Sequence, residues 1–122
     1  MTTAEALNGS PEPGGRRIVH LRDRAVAVEL LGDHDLHTML TLGPVLDSLV
    51  DRNDLVIVDL SGAEFVDSSV LHALLRASRR MQEGGGRLVL SLGEQPIMTK
   101  LFEITGLLDQ FEFVDGWSAA LR

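Results

Sequence analysis

Apolar and polar residues alternate twice near the start of the chain, over Arg17-Ile18-Val19-His20-Leu21-Arg22 and again over Ala25 to Leu31, where Val26, Val28 and Leu30 share one side. A period of two sends successive side chains to opposite faces, so both segments are predicted strands, and Asp23-Arg24 between them predicts a hairpin. Gly32 ends the second strand. The period then changes: Leu36, Met39, Leu40, Leu42, Val45, Leu46, Leu49 and Val50 recur at spacings of three and four, the stripe of an amphipathic helix. Gly43-Pro44 falls inside that stripe. Proline removes a donor and disfavours a helical residue before it, which predicts a kink or two short helices.

Leu55-Val56-Ile57-Val58-Asp59-Leu60 is an apolar, largely β-branched run without alternation, the pattern of a strand covered on both faces and central in its sheet. Ser61 to Asp67 reads as a short connection. From Ser68 the positions Leu71, Leu74, Leu75, Ser78 and Met81 fall on one helical face, and Gly84-Gly85-Gly86 stops the helix. Arg87 to Leu92 is a further strand, so a strand–helix–strand unit crosses over right-handed into parallel pairing. Pro96 opens a helix through Thr105 that Gly106 closes, Phe111 to Val114 forms a last short strand, and Ser118 to Leu121 at least one helical turn. The fold class is α/β, with a mixed sheet of about four to five strands packed by helices.

Length and composition narrow this further. At 122 residues with 44% hydrophobic positions, the chain buries one core. Met1 to Gly15, with two prolines, three glycines and no cationic stretch leading into an apolar one, reads as a disordered tail on a cytoplasmic protein, leaving residues 16–122 as the domain. No apolar run approaches the roughly 20 residues of a membrane span, so no membrane insertion is expected. Cysteine is absent, which excludes disulfides and thiolate chemistry. A net charge of −7 and 4% aromatics argue against nucleic acid as a partner, since that affinity comes from clustered Lys and Arg and from stacking platforms.

The chemistry concentrates at Asp67-Ser68-Ser69, where a connection hands over to the central helix. The first amides of a helix lack intrahelical partners, and Asp and Ser are the preferred caps, so capping alone accounts for part of the triplet. The remaining hydroxyl sits where an added phosphate would meet the positive end of the helix dipole, carrying about −1.5 to −2 charges into the neighbourhood of Asp67, Asp33 and Asp35. His72 and Arg76 follow Ser69 on nearly the same helical face and form either a solvated outer surface or a partner-docking stripe, which Arg79 and Arg80 extend. His34 and His37, interleaved with Asp33 and Asp35, lack the further ligands of a metal site and read as a solvated turn, and His20 reads as a surface residue. A serine hydrolase is a remote alternative, because the Gly-x-Ser-x-Gly elbow and an oriented base are both missing around Ser69 and His72. Gly84-Gly85-Gly86 precedes a strand instead of following one, so it is no phosphate loop, and no cofactor is expected.

Four stretches together resemble the STAS domain family of anti-sigma factor antagonists. Leu55 to Leu71 is similar to the family signature of a hydrophobic strand, Asp-Leu-Ser, a spacer, Phe and Asp-Ser-Ser-Gly-Leu; Gly32-Asp33-His34-Asp35 resembles its Gly-Glu-Leu-Asp. Gly85-Gly86-Arg87-Leu88 and Leu101-Phe102-Glu103-Ile104-Thr105-Gly106-Leu107 complete the series in the family's order over roughly Arg16 to Leu121. The resemblance implies a non-catalytic regulator that binds an anti-sigma factor serine kinase, an ATP-binding partner, and frees a sigma factor until phosphorylation releases the kinase. It also implies Ser69 as the phosphoacceptor, Ser68 as its neighbour and cap, and Asp35 across the site. Asp35, Asp67, Ser68, Ser69, Val70, His72 and Arg76 are the expected partner-binding residues.

Val70 stands where the family has glycine. A β-branched side chain there is expected to fill the space through which a partner backbone approaches and to stiffen the first turn. The alternative under the same fold is therefore a phosphorylation-independent scaffold or transport-complex subunit.

Overall fold

The computed structural model describes residues 15–121. The predicted tail lies outside them apart from Gly15, which already belongs to the first strand. In chain order the elements are β1 (Gly15–Arg22), β2 (Ala25–His34), α1 (Met39–Arg52), β3 (Leu55–Asp59), β4 (Ala63–Val66), α2 (Ser68–Glu83), β5 (Arg87–Ser91), α3 (Pro96–Ile104), a 3-10 turn (Leu108–Gln110), β6 (Glu112–Phe113) and α4 (Trp117–Ala120).

The strands form a mixed sheet in the order β1-β2-β3-β5-β6, with β4 paired only to the far end of β2. β1 and β2 are the antiparallel hairpin; the other pairs are parallel. Register lines Val26, Val56 and Leu88 up across the sheet, and Val28, Val58 and Leu90 one pleat further on. This face packs against Leu42, Leu46 and Leu49 of α1, Leu71, Leu74 and Met81 of α2, and Met98 and Phe102 of α3. The opposite face, with Ala27, Ile57 and Val89, is covered by Ala120 and Trp117 of α4. β3 is buried along its whole length for that reason, as its unbroken apolar run predicts. Asp59 at its end is satisfied by the Trp117 indole N–H at 2.8 Å and the Ser61 amide at 2.8 Å, which fastens α4 to the sheet.

Three expectations need correction. Of the two alternatives for the stripe around Gly43-Pro44, two short helices are ruled out: Met39 to Arg52 is one helix with Pro44 inside it. Pro44 lies on the solvent side, and the carbonyl it leaves without a donor belongs to exposed Leu40, so water can take the missing bond. The stretch Ser61 to Asp67 contains a strand, β4, whose Phe65 and Val66 pair with Asp33 and His34. β2 correspondingly runs past Gly32 to His34, the register shifting between Gly32 and Asp33.

Candidate functional site

β2, β3 and β5 are parallel, so their carboxyl ends, and with them the first turns of α1, α2 and α3, gather at one end of the sheet. α2 begins there because Asp67, in extended conformation at its N-cap, offers a carboxylate to the free amides of the first turn. Oδ1 accepts from the Ser69 amide at 3.0 Å, the Val70 amide at 3.2 Å and the Ser69 hydroxyl at 2.5 Å. Oδ2 accepts the Leu36 amide at 3.1 Å, from the turn between β2 and α1. Partial burial pushes the Asp67 carboxyl up, but the Ser69 hydroxyl and the amides of Val70, Leu36 and Ser69 all favour its charged form. The net effect holds it below the usual carboxylate range.

The turn that meets Asp67 is itself tightly built. Asp35 Oδ1 accepts the Thr38 amide at 3.0 Å, and Thr38 Oγ1 accepts the Asp35 amide at 3.0 Å, a reciprocal box that starts α1. His34 lies beneath it. Contrary to the solvated turn expected from sequence, His34 is fully buried. Its Nε2 lies 2.9 Å from the Gly15 carbonyl, and because a carbonyl only accepts, Nε2 carries the proton; Nδ1 faces Thr38 Oγ1 at 3.4 Å. His37 is exposed, so the two histidines do not converge.

The expected site residues separate into three groups. Asp35, Asp67 and Ser69 come together, Asp67 and Asp35 lining one shallow depression with Leu36, His37 and Leu40. Ser68, His72 and Arg76 lie exposed on the outer face of α2, and the cap expected of Ser68 is made by Asp67 instead. Val70 departs from expectation: its side chain is fully buried in the core under α2, so it is turned away from any partner. The Ser69 hydroxyl is directed to Asp67, and among the described residues it makes no hydrogen bond to His72, the pairing a serine hydrolase would need.

Sequence reasoning missed two residues. Leu36 and Leu40 fit the helical stripe and were expected to be buried, yet they are 69% and 72% exposed, beside Asp67. Their signal was positional, since α1 starts only at Met39 and both residues precede its first buried position, Leu42.

The family profile of the STAS domain matches residues 17–120. The chain belongs to the STAS domain family. The same architecture recurs in solved structures, among them two anti-sigma factor antagonists. SpoIIAA in its unphosphorylated form is 18% identical with a TM-score of 0.69, over 88% of this chain and 94% of that one. An anti-sigma factor antagonist from Mycobacterium paratuberculosis is 22% identical with a TM-score of 0.75, over 91% and 95%. RsbS from Moorella thermoacetica is 20% identical with a TM-score of 0.70, over 87% and 91%. At these identities the likeness is one of fold. Among the described residues of this STAS domain, no helix is long and apolar enough to cross a membrane.

Proposed function

We propose that this STAS domain is a cytoplasmic, non-catalytic anti-sigma factor antagonist that binds a serine-kinase anti-sigma factor, thereby frees a sigma factor, and is switched off by phosphorylation of Ser69. The observation that carries the reading is the Ser69 hydroxyl, half-buried in the first turn of α2 and donating to the Asp67 carboxylate. A hydroxyl whose proton is held by a carboxylate keeps its lone pairs free for an incoming phosphorus, and a helix start favours the anion that results. In the transfer, Ser69 Oγ bonds to the γ-phosphorus of ATP on the kinase, the bond to the ADP oxygen breaks, and the hydroxyl proton leaves by way of Asp67 to water. The solved SpoIIAA in a phosphorylated form, similar in fold at a TM-score of 0.69, supports the same reading.

Around Ser69, the exposed residues Asp35, Ser68, His72 and Arg76 form the surface offered to the kinase. Val70, with its side chain inside the core, leaves the backbone approach clear, which favours the switch over the phosphorylation-independent scaffold.

Intact mass after incubation with a kinase-type anti-sigma factor and ATP tests the assignment. One added phosphate is expected, abolished in Ser69→Ala and retained in Ser68→Ala. Incorporation that persists in Ser69→Ala overturns it.

A further inference from the structure

We infer that Asp67 is a positioning residue that transmits the charge at Ser69 to the turn bearing Leu36, which adjoins Leu40 in the first turn of α1. The inference rests on the reading of Ser69 as phosphoacceptor, and it concerns what that phosphate does inside this chain.

The carboxylate is shared between two segments far apart in sequence. Oδ1 holds three donors from the first turn of α2, and Oδ2 holds the Leu36 amide, 31 residues earlier. The Asp35–Thr38 box continues into α1 through the Met39 amide on the Asp35 carbonyl and the Leu42 amide on the Thr38 carbonyl, and the Leu36–Asp67 bond ties its other side to α2. Further ties among the described residues are the Asp67 amide on the His34 carbonyl at 3.1 Å and the 3.4 Å approach of Thr38 Oγ1 to His34. Leu36, which this turn carries, and Leu40, in the first turn of α1 that follows, are among the most exposed large apolar side chains of the domain.

Phosphorylation of Ser69 changes Asp67 in three ways. The hydroxyl proton is lost, so Oδ1 loses a donor. A dianion arrives next to the carboxylate, and it competes for the Ser69 and Val70 amides that now serve Oδ1. Each change drives the carboxylate from its seat, and the Leu36 amide then loses its acceptor. Leu36 is released from the orientation it holds beside Leu40 in the unmodified domain.

Amide NMR of the full chain tests this without any kinase. In the wild type, the Leu36 and Val70 amide protons should titrate with one shared midpoint below the ordinary carboxylate range, because both bond the same group. The other titratable groups facing the turn are Asp33, His34, Asp35 and His37; Asp35→Asn and His37→Gln should leave that shared midpoint in place, whereas Asp67→Asn should remove it. Ser69→Glu should speed hydrogen exchange at Leu36 by roughly five- to tenfold, the effect of one lost hydrogen bond, and Ser68→Glu should not. A Leu36 amide indifferent to Ser69→Glu while the Val70 amide responds overturns the coupling. Should Asp67→Asn fail to fold, the wild-type titration and the Ser69→Glu comparison still decide. Absence of phosphate in the mass experiment sinks the kinase reading and leaves these amide signals untouched, so the two failures are told apart.

Discussion

At the amino ends of β2, β3 and β5 the elements are tied on the surface by side-chain ion pairs, whereas at the carboxyl ends one carboxylate, Asp67, ties the first turn of α2 to the turn after β2 through backbone amides and the Ser69 hydroxyl. The amino end has Arg24 on Asp54 at 2.9 and 3.0 Å, and Arg80 on Asp47 and Asp51. All five side chains are about half exposed or more, where water and salt replace such contacts readily. Beneath them the backbone does the joining, with the Asp54 amide on the Arg24 carbonyl and the Arg87 amide on the Asp54 carbonyl, both at 2.8 Å. At the carboxyl end a single side chain, Asp67, collects four donors from two elements. Redundant closure tolerates change in its charges; closure through one group makes that group a point of control.

The contrast can be broken most severely at the amino end, through its backbone. A Cβ at Gly86 would stand 2.8 Å from the Asp54 carbonyl oxygen, so Gly86→Ala must push two strands apart. Overpacking of this kind costs about 1–3 kcal/mol, read as a lower midpoint in urea. Asp67→Ala comes next. Loss of the cap should cost about 1–2 kcal/mol at neutral pH. The sign of its pH dependence follows from the lowered carboxyl: a folded pKa below the unfolded one gives stability that is present above about pH 4 and lost as pH falls through the folded value. The gap between wild type and Asp67→Ala should therefore narrow below about pH 4 in urea titrations; a gap that widens there contradicts the hydrogen-bonded carboxylate. Asp54→Asn should have the smallest effect, a urea midpoint close to that of the wild type, with the difference smaller again in high salt.

Most of the fold was legible because each segment obeys one period. β3 reads as a doubly covered strand and is one, and the triple glycine ends α2 where expected. β4 was missed because four residues are too few to show a period, and its two middle residues, Glu64 and Phe65, are both exposed. His34 was missed for a different reason. The buried alternation of Val26, Val28 and Leu30 continues through Gly32 to His34, and reading the glycine as an end hid it. At the site, Asp67 and Ser69 were visible as a helix start, but the Leu36 amide that completes the carboxylate's partners comes from 31 residues away, a pairing only the folded sheet creates.

β2 changes neighbour along its length, lying beside β3 from Ala25 to Glu29 and beside β4 from Gly32 to His34. The β1–β2 hairpin closes through a two-residue turn, whereas the β2–β4 contact closes a loop of about 30 residues that contains all of α1 and β3. Chain entropy charges more for the second closure, and about as much for β2 on β3, whose partners Ala25 and Leu55 are also about 30 residues apart, so the hairpin is the cheapest pairing of the sheet. Asp67 and Ser69 sit at such a long-range closure, so their chemistry acts on a contact that the neighbouring chain alone does not hold in place.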